Sequence, residues 1–69
     1  MADISLTVNG QPRTMGIGTT LGELLVELEL APQQVIVEYN GEPLERDRFT
    51  HTRLGDGDQI EIAQMVGGG

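Results

Sequence analysis

Twelve residues, TTLGELLVELEL (19–30), carry the one helical periodicity in a chain whose other apolar stretches alternate. Leu21, Leu24, Leu25 and Leu28 fall at i, i+3, i+4 and i+7, a single apolar stripe. One helix cannot bury its own stripe, so a sheet must cover it. Thr20 stands three residues before Glu23, the spacing of a capping box, in which hydroxyl and carboxylate satisfy free N–H groups at the helix start. Gly22 should weaken the first turn by up to about 1 kcal/mol relative to alanine. Pro32 ends the element, and the helix is expected to stop by about Leu30.

The flanking segments supply the sheet. ISLTV alternates, with Ile4, Leu6 and Val8 on one side and Ser5 and Thr7 on the other. Asn9-Gly10 follows, a strong hairpin signal because both central residues of a type I′ turn need positive φ. A second strand is expected from about Arg13 to Ile17, with Met15 and Ile17 inward. Pro12 and Gly16 suggest that it is irregular and bulged. In QVIVEYN, Val35, Val37 and Tyr39 share one side and Ile36 and Glu38 the other; the unbroken VIV points to an inner, well-covered strand. Asn40-Gly41 is a second turn, a short strand is expected around Leu44, and ERDRF reads as one helical turn anchored by Phe49. Leu54 returns to the core. GDGD (55–58) is a tight turn, and Ile60 and Ile62 alternate in the last strand. The order predicts an α+β roll: a mixed sheet of four to five strands crossed by one helix. First and last strands would pair in parallel at its centre, so residues 1–66 form one domain and 67–69 a flexible glycine tail at one exposed pole.

Composition narrows function by exclusion. At 69 residues the chain makes one small domain, which buries only about 60% of its unfolded surface. It has no cysteine, hence no disulfide framework or thiolate zinc site, and its one histidine, His51, cannot build a metal site alone. The aspartates of GDGD lack the spaced oxygen ligands of a calcium loop. Net charge −7, with eleven acidic residues against four arginines (Arg13, Arg46, Arg48, Arg53) and no lysine, is a poor footprint for nucleic acid. Tyr39 and Phe49, the only aromatics, make no base-stacking platform. No run approaches the roughly 20 apolar residues of a membrane span. The start MADISLTVNG lacks a basic region before an apolar stretch, so no secretory signal is expected and the default compartment is the cytoplasm.

Catalytic constellations are missing as well. Ser5 sits in a strand without a base, and His51 has no nucleophile or metal beside it. GIGTTLGE (16–23) lacks the spacing and lysine of a phosphate loop. What remains is the end of the chain, QMVGGG. Glycines lack side chains, adopt φ values other residues avoid, and leave a terminal carbonyl open to attack. Three of them, extended, span roughly 10 Å. The absence of lysine is most simply genome composition; on the functional reading, a chain whose carboxylate becomes an activated acyl group gains by lacking lysine amines, which are nucleophiles once deprotonated. A small interaction domain with a frayed glycine end is the plainer alternative.

VNG (8–10), TTLGELL (19–25), IVEYNGEPLERDRF (36–49), DGDQIEI (56–62) and the terminal VGGG together resemble the ThiS family of thiamin-pathway sulfur carriers, β-grasp ubiquitin-like proteins. The resemblance covers essentially the whole chain. DGDQIEI with a glycine end is shared with the molybdopterin-synthase small subunit (the MoaD relatives) and marks the superfamily, whereas VEYNGEPLERDRF and the short length favour the thiazole carrier. The resemblance implies a cosubstrate, not an enzyme, binding no cofactor itself. The carboxylate of Gly69 would be adenylated with ATP by a ThiF-type adenylyltransferase. A cysteine desulfurase or other persulfide donor would convert it to a thiocarboxylate, and a ThiG-type thiazole synthase would take the sulfur. Gly68 and Gly69 match the family's functional end, while Gly67 and Val66 would line the path into partner active sites. The third glycine is a variant of a double-glycine end. A carrier for molybdopterin synthesis or tRNA thiolation, and a ubiquitin-like protein modifier, remain alternatives with the same terminal chemistry. Met65 and Val66 are expected to contribute to an exposed apolar patch near the tail.

Overall fold

The computed structural model describes residues 3–65. Strands β1 (Asp3–Val8) and β2 (Gln11–Gly16) are followed by helix α1 (Leu21–Glu27), then β3 (Val35–Tyr39), β4 (Glu42–Leu44) and β5 (Gln59–Gln64). The five strands form one sheet in the order β2-β1-β5-β3-β4. β1 and β5 are parallel and β5 is central, as the strand order predicts; the other pairings are antiparallel. This is the β-grasp arrangement, with α1 lying across one face.

The core follows the two periodicities. Ile4, Leu6 and Val8 of β1, Val35 and Val37 of β3 and Ile60 and Ile62 of β5 meet Leu21, Leu24 and Leu25 of α1, with Phe49 and Leu54 sealing one end. The three helix leucines are fully buried. Truncating one to alanine should cost about 2–5 kcal/mol, a large share of the roughly 3–10 kcal/mol expected for a domain of this size.

α1 begins on the predicted capping box: Glu23 N–H donates to Thr20 Oγ1 at 3.2 Å, and Thr20 N–H to Glu23 Oε1 at 2.9 Å. Gly22 has a packing reason, since a Cβ there would stand 3.2 Å from Thr50 Cγ2. That segment is stapled to the helix start by Leu21 N–H to Thr52 O and Leu54 N–H to Thr19 O, both 2.9 Å. The helix ends in a Schellman motif, Leu30 N–H to Leu25 O and Glu29 N–H to Val26 O, with Glu29 at φ 61°. Pro32 then opens a 3-10 turn, Pro32–Gln34, leading into β3, and the ERDRF segment forms a second such turn, Arg46–His51, that buries Phe49.

Three expectations are corrected. β2 carries no bulge: it pairs one-to-one with β1 from Gln11 to Gly16, and Pro12 is tolerated because β2 is a sheet edge. Ile17 is not inward but 69% exposed, because the strand ends at Gly16 and the chain turns, Thr19 N–H donating to Gly16 O. β3 is an inner strand, yet only one of its sides is covered. Val35 and Val37 are buried, while Ile36 is 56% exposed on the side of the sheet away from α1.

Candidate functional site at the end of the central strand

The candidate site residues Val66, Gly67, Gly68 and Gly69 lie outside the described residues, as does the boundary between domain and tail. The frame that leads to them is described. β5 runs up the middle of the sheet and on to Met65, whose N–H donates to Gln34 O at 2.8 Å. On the β3 side the ladder is continuous, Tyr39↔Ile60 through Val35↔Gln64. On the β1 side backbone pairing covers Thr7↔Gln59 and Val8↔Ile60 and closes with Asn9 N–H to Ile60 O at 2.8 Å. There the Asn9 side chain takes over. Its Oδ1 accepts from Ile62 N–H at 2.7 Å and its Nδ2 donates to Ile62 O at 3.1 Å.

The start of β5 is fixed by a polar cluster. Tyr39 donates its hydroxyl to Asp58 Oδ2 at 2.6 Å; Gly55 N–H reaches the same oxygen at 2.7 Å, and Asn40 Nδ2 donates to Oδ1 at 3.1 Å. The bond to Asp58, with burial and the nearby charge, pushes the Tyr39 hydroxyl up to about 12. Burial would raise the Asp58 carboxyl, but the hydrogen bonds from Tyr39, Gly55 and Asn40 outweigh it and hold the group below its ordinary value. Asp56 does not bond its own turn. It accepts from Ser5 N–H at 2.7 Å and ties the GDGD turn to β1. These groups hold the turn and the root of β5 and have no reacting partner among them.

Around the exit of β5 the surface is mixed. Met65 is 48% exposed, which fits the expected apolar patch, and Ile36 opposite Ala63 extends it along the outer face of the sheet. Beside that pair Glu38 and Glu61 stand directly opposite each other. Sequence reading missed Ile36 as surface, since VIV looks alike whether one side or both are covered. On the helix side, Asn9, Pro12, Leu28, Leu30 and Ile62 line a shallow cleft of about 340 Å³. His51 is exposed at the end of its turn, next to Thr50, and Ser5 is exposed in β1. No group of three His, Asp or Glu side chains among the described residues could hold a metal. Nor is any helix among them long and apolar enough to cross a membrane.

The model of the ThiS family matches residues 6–69, from β1 through the terminal glycines. The chain belongs to the ThiS family. It is 43% identical to the thiamine biosynthesis protein (ThiS) of Geobacter metallireducens, whose crystal structure superposes with a TM-score of 0.80 over 96% of this chain and 100% of that one. It is 42% identical over 50 residues to the sulfur carrier protein ThiS of Bacillus subtilis, covering 72% of this chain and 76% of that protein. It is also 38% identical over 66 residues to a thiazole synthase of Magnetococcus marinus, covering 96% of this chain but 20% of that protein. The chain thus spans about a fifth of the length of the thiazole synthases it matches. The β-grasp reading of the sequence holds at the level of solved relatives.

Proposed function

We propose that this chain is a sulfur carrier for thiazole formation in thiamin biosynthesis, a cosubstrate rather than a catalyst. The observation that carries the reading is the family match over residues 6–69. A Gly69 carboxylate oxygen attacks the α-phosphorus of ATP in a ThiF-type adenylyltransferase, and pyrophosphate leaves. A persulfide sulfur from a cysteine desulfurase attacks the acyl carbon, and AMP leaves. A second thiol cleaves the resulting acyl disulfide and frees the thiocarboxylate. A carboxylate is a poor acyl donor until its oxygen becomes part of a good leaving group, which is why ATP is spent by the partner and no cofactor is needed on the carrier.

The relatives support a thiazole synthase as the acceptor. Thiazole synthases carry a segment like this whole chain as a fifth of their own length. A segment similar to this chain within proteins named thiazole synthase supports the thiazole branch over molybdopterin synthesis, tRNA thiolation or protein modification. Val66, Gly67 and Gly68 serve as the side-chain-poor approach to partner active sites. All of these partners work in the cytoplasm in this reading. The test is intact mass after incubation with ATP, a ThiF-type enzyme and a persulfide donor. Exchange of oxygen for sulfur should add about 16 Da at the acyl terminus, and an unchanged mass with the activating enzyme of the same genome would refute the reading.

A further inference from the structure

Both hairpin turns are Asn-Gly, with both central residues at positive φ: Asn9 at 53° and Gly10 at 79°, Asn40 at 52° and Gly41 at 86°. The turn geometry asks only for a residue that tolerates this conformation, and glycine or aspartate would serve. Yet both asparagines also turn their side chains onto the same strand. Asn40 accepts from Gln59 N–H at 2.8 Å and so grips the first residue of β5. Asn9 grips Ile62 at both its N–H and its C=O, three residues before Met65.

The second grip replaces a missing piece of sheet. Past Ile60 the β1 backbone has turned away, so from Ile62 onward β5 would have a neighbour only in β3. A two-stranded ribbon twists more than a strand held on both sides. The Asn9 carboxamide offers one donor and one acceptor spaced like a peptide group, and Ile62 meets them with its own acceptor and donor. The backbone partners fix the amide orientation, because a flipped amide would set N–H against N–H. Asn9 therefore adds one rung to the β1–β5 ladder at the end from which the chain leaves the sheet.

We propose that Asn9 is a positioning residue for acyl activation: its carboxamide, the last rung between β1 and β5, holds β5 at Ile62 in the geometry that the activating enzyme docks. The proposal rests on the carrier reading above. Without the rung, β5 around Ile62 samples a wider range of twist, and only a fraction of carriers hold the strand geometry that the activating enzyme docks. Apparent affinity falls by that fraction, while turnover of the bound complex is unaffected.

Asn9→Gly is the decisive variant, since glycine keeps the left-handed turn and removes only the side chain. Two measurements are paired. Amide exchange should show Ile62 exchanging roughly tenfold or more faster relative to Ala63, whose bonds run to β3, in keeping with local opening of one edge. In pyrophosphate exchange with a ThiF-type enzyme, the KM for the carrier should rise about five- to tenfold with kcat within about twofold, as expected for a smaller competent fraction. Asn9→Asp, also compatible with the turn, keeps the acceptor and loses the donor, and its KM should rise too. Leu54→Val, a core change at the other end of β5, serves as the stability control and should leave KM within about twofold. An Asn9→Gly KM matching the parent's, unchanged Ile62 protection, or an equal KM rise in Leu54→Val would each overturn the assignment. A parent chain that is itself not activated would sink the carrier reading beneath it, and the two failures are told apart by that parent measurement.

Discussion

Tyr39 and Asp58 show how much one pair of side chains organises at the root of β5. The hydroxyl donates at 2.6 Å to a carboxylate that also collects Gly55 N–H and Asn40 Nδ2, so a single group joins β3, the second hairpin and the GDGD turn. The two titrations bound the stability profile. Asp58 is held below its ordinary value in the fold, so its contribution is present above the unfolded carboxylate pKa and is lost as pH falls through the folded one. Tyr39 is raised to about 12, so its contribution is full below its unfolded value near 10 and is lost as pH climbs through about 12. Tyr39→Phe should cost about 1 kcal/mol at neutral pH, the scale of a partly exposed hydrogen bond to a charge. It should also flatten both the acid and the alkaline arms of a plot of unfolding free energy against pH. Denaturant titrations between pH 2 and 12 check this; an alkaline arm of unchanged slope would show that the phenol is not the group responsible.

At the scale of elements, α1 was legible to within about three residues because its signals are local. The leucine stripe, the Thr20–Glu23 box and the stop before Pro32 all lie within one short stretch and all appear in the structure. Its last feature was hidden. Glu29 occupies the left-handed C′ position, where sequence rules look for glycine. That conformation costs a residue with a Cβ about 1 kcal/mol. The Glu29 side chain is exposed, so little else is at stake. Glu29→Gly should therefore stabilise the domain by about 0.5–1 kcal/mol, with part of the gain offset by glycine's freedom in the unfolded chain. The melting temperature should rise by roughly 2–8 °C, and a fall would mean that the Glu29 side chain makes a contact worth more than the strain. The strand errors have the opposite origin. Extending the parity of β2 past Gly16 points Ile17 inward, but there the chain turns out of the sheet. The VIV run does not reveal the exposure of Ile36, because covering one side of a strand or both depends on a layer far away in sequence. Asn9 and Asn40 were legible as turn residues, but their second partners lie 53 and 19 residues away, beyond the reach of any local pattern.

For the molecule as a whole, the proposed function assigns folding and chemistry to separate parts of the chain. Every buried apolar residue among those described lies at or before Ile62, while the proposed reacting atoms are on Gly69. Parallel pairing of the first and last strands makes this division possible. It puts β5, the strand that leads to the terminus, at the centre of the sheet, and its exit is held by β3 on one side and Asn9 on the other. In the proposed function the folded body is recognised as a surface and Gly69 is treated as a substrate. The consequence is a variant that separates the two properties. Gly69→Ala adds one methyl beside the carboxylate and touches no buried residue among those described, so the unfolding temperature should stay within about 1 °C of the parent. Under the proposed chemistry the methyl would crowd the carbonyl at which adenylate and sulfur are exchanged, and a misplacement of about 1 Å at a reacting centre costs on the order of 100-fold. Thiocarboxylate formation, followed by intact mass, should therefore fall by at least about tenfold, on the conservative side of that range. A large drop in melting temperature would make residue 69 part of the fold, and an undiminished yield of the sulfur-bearing product would remove steric access at the last glycine as a requirement of the chemistry.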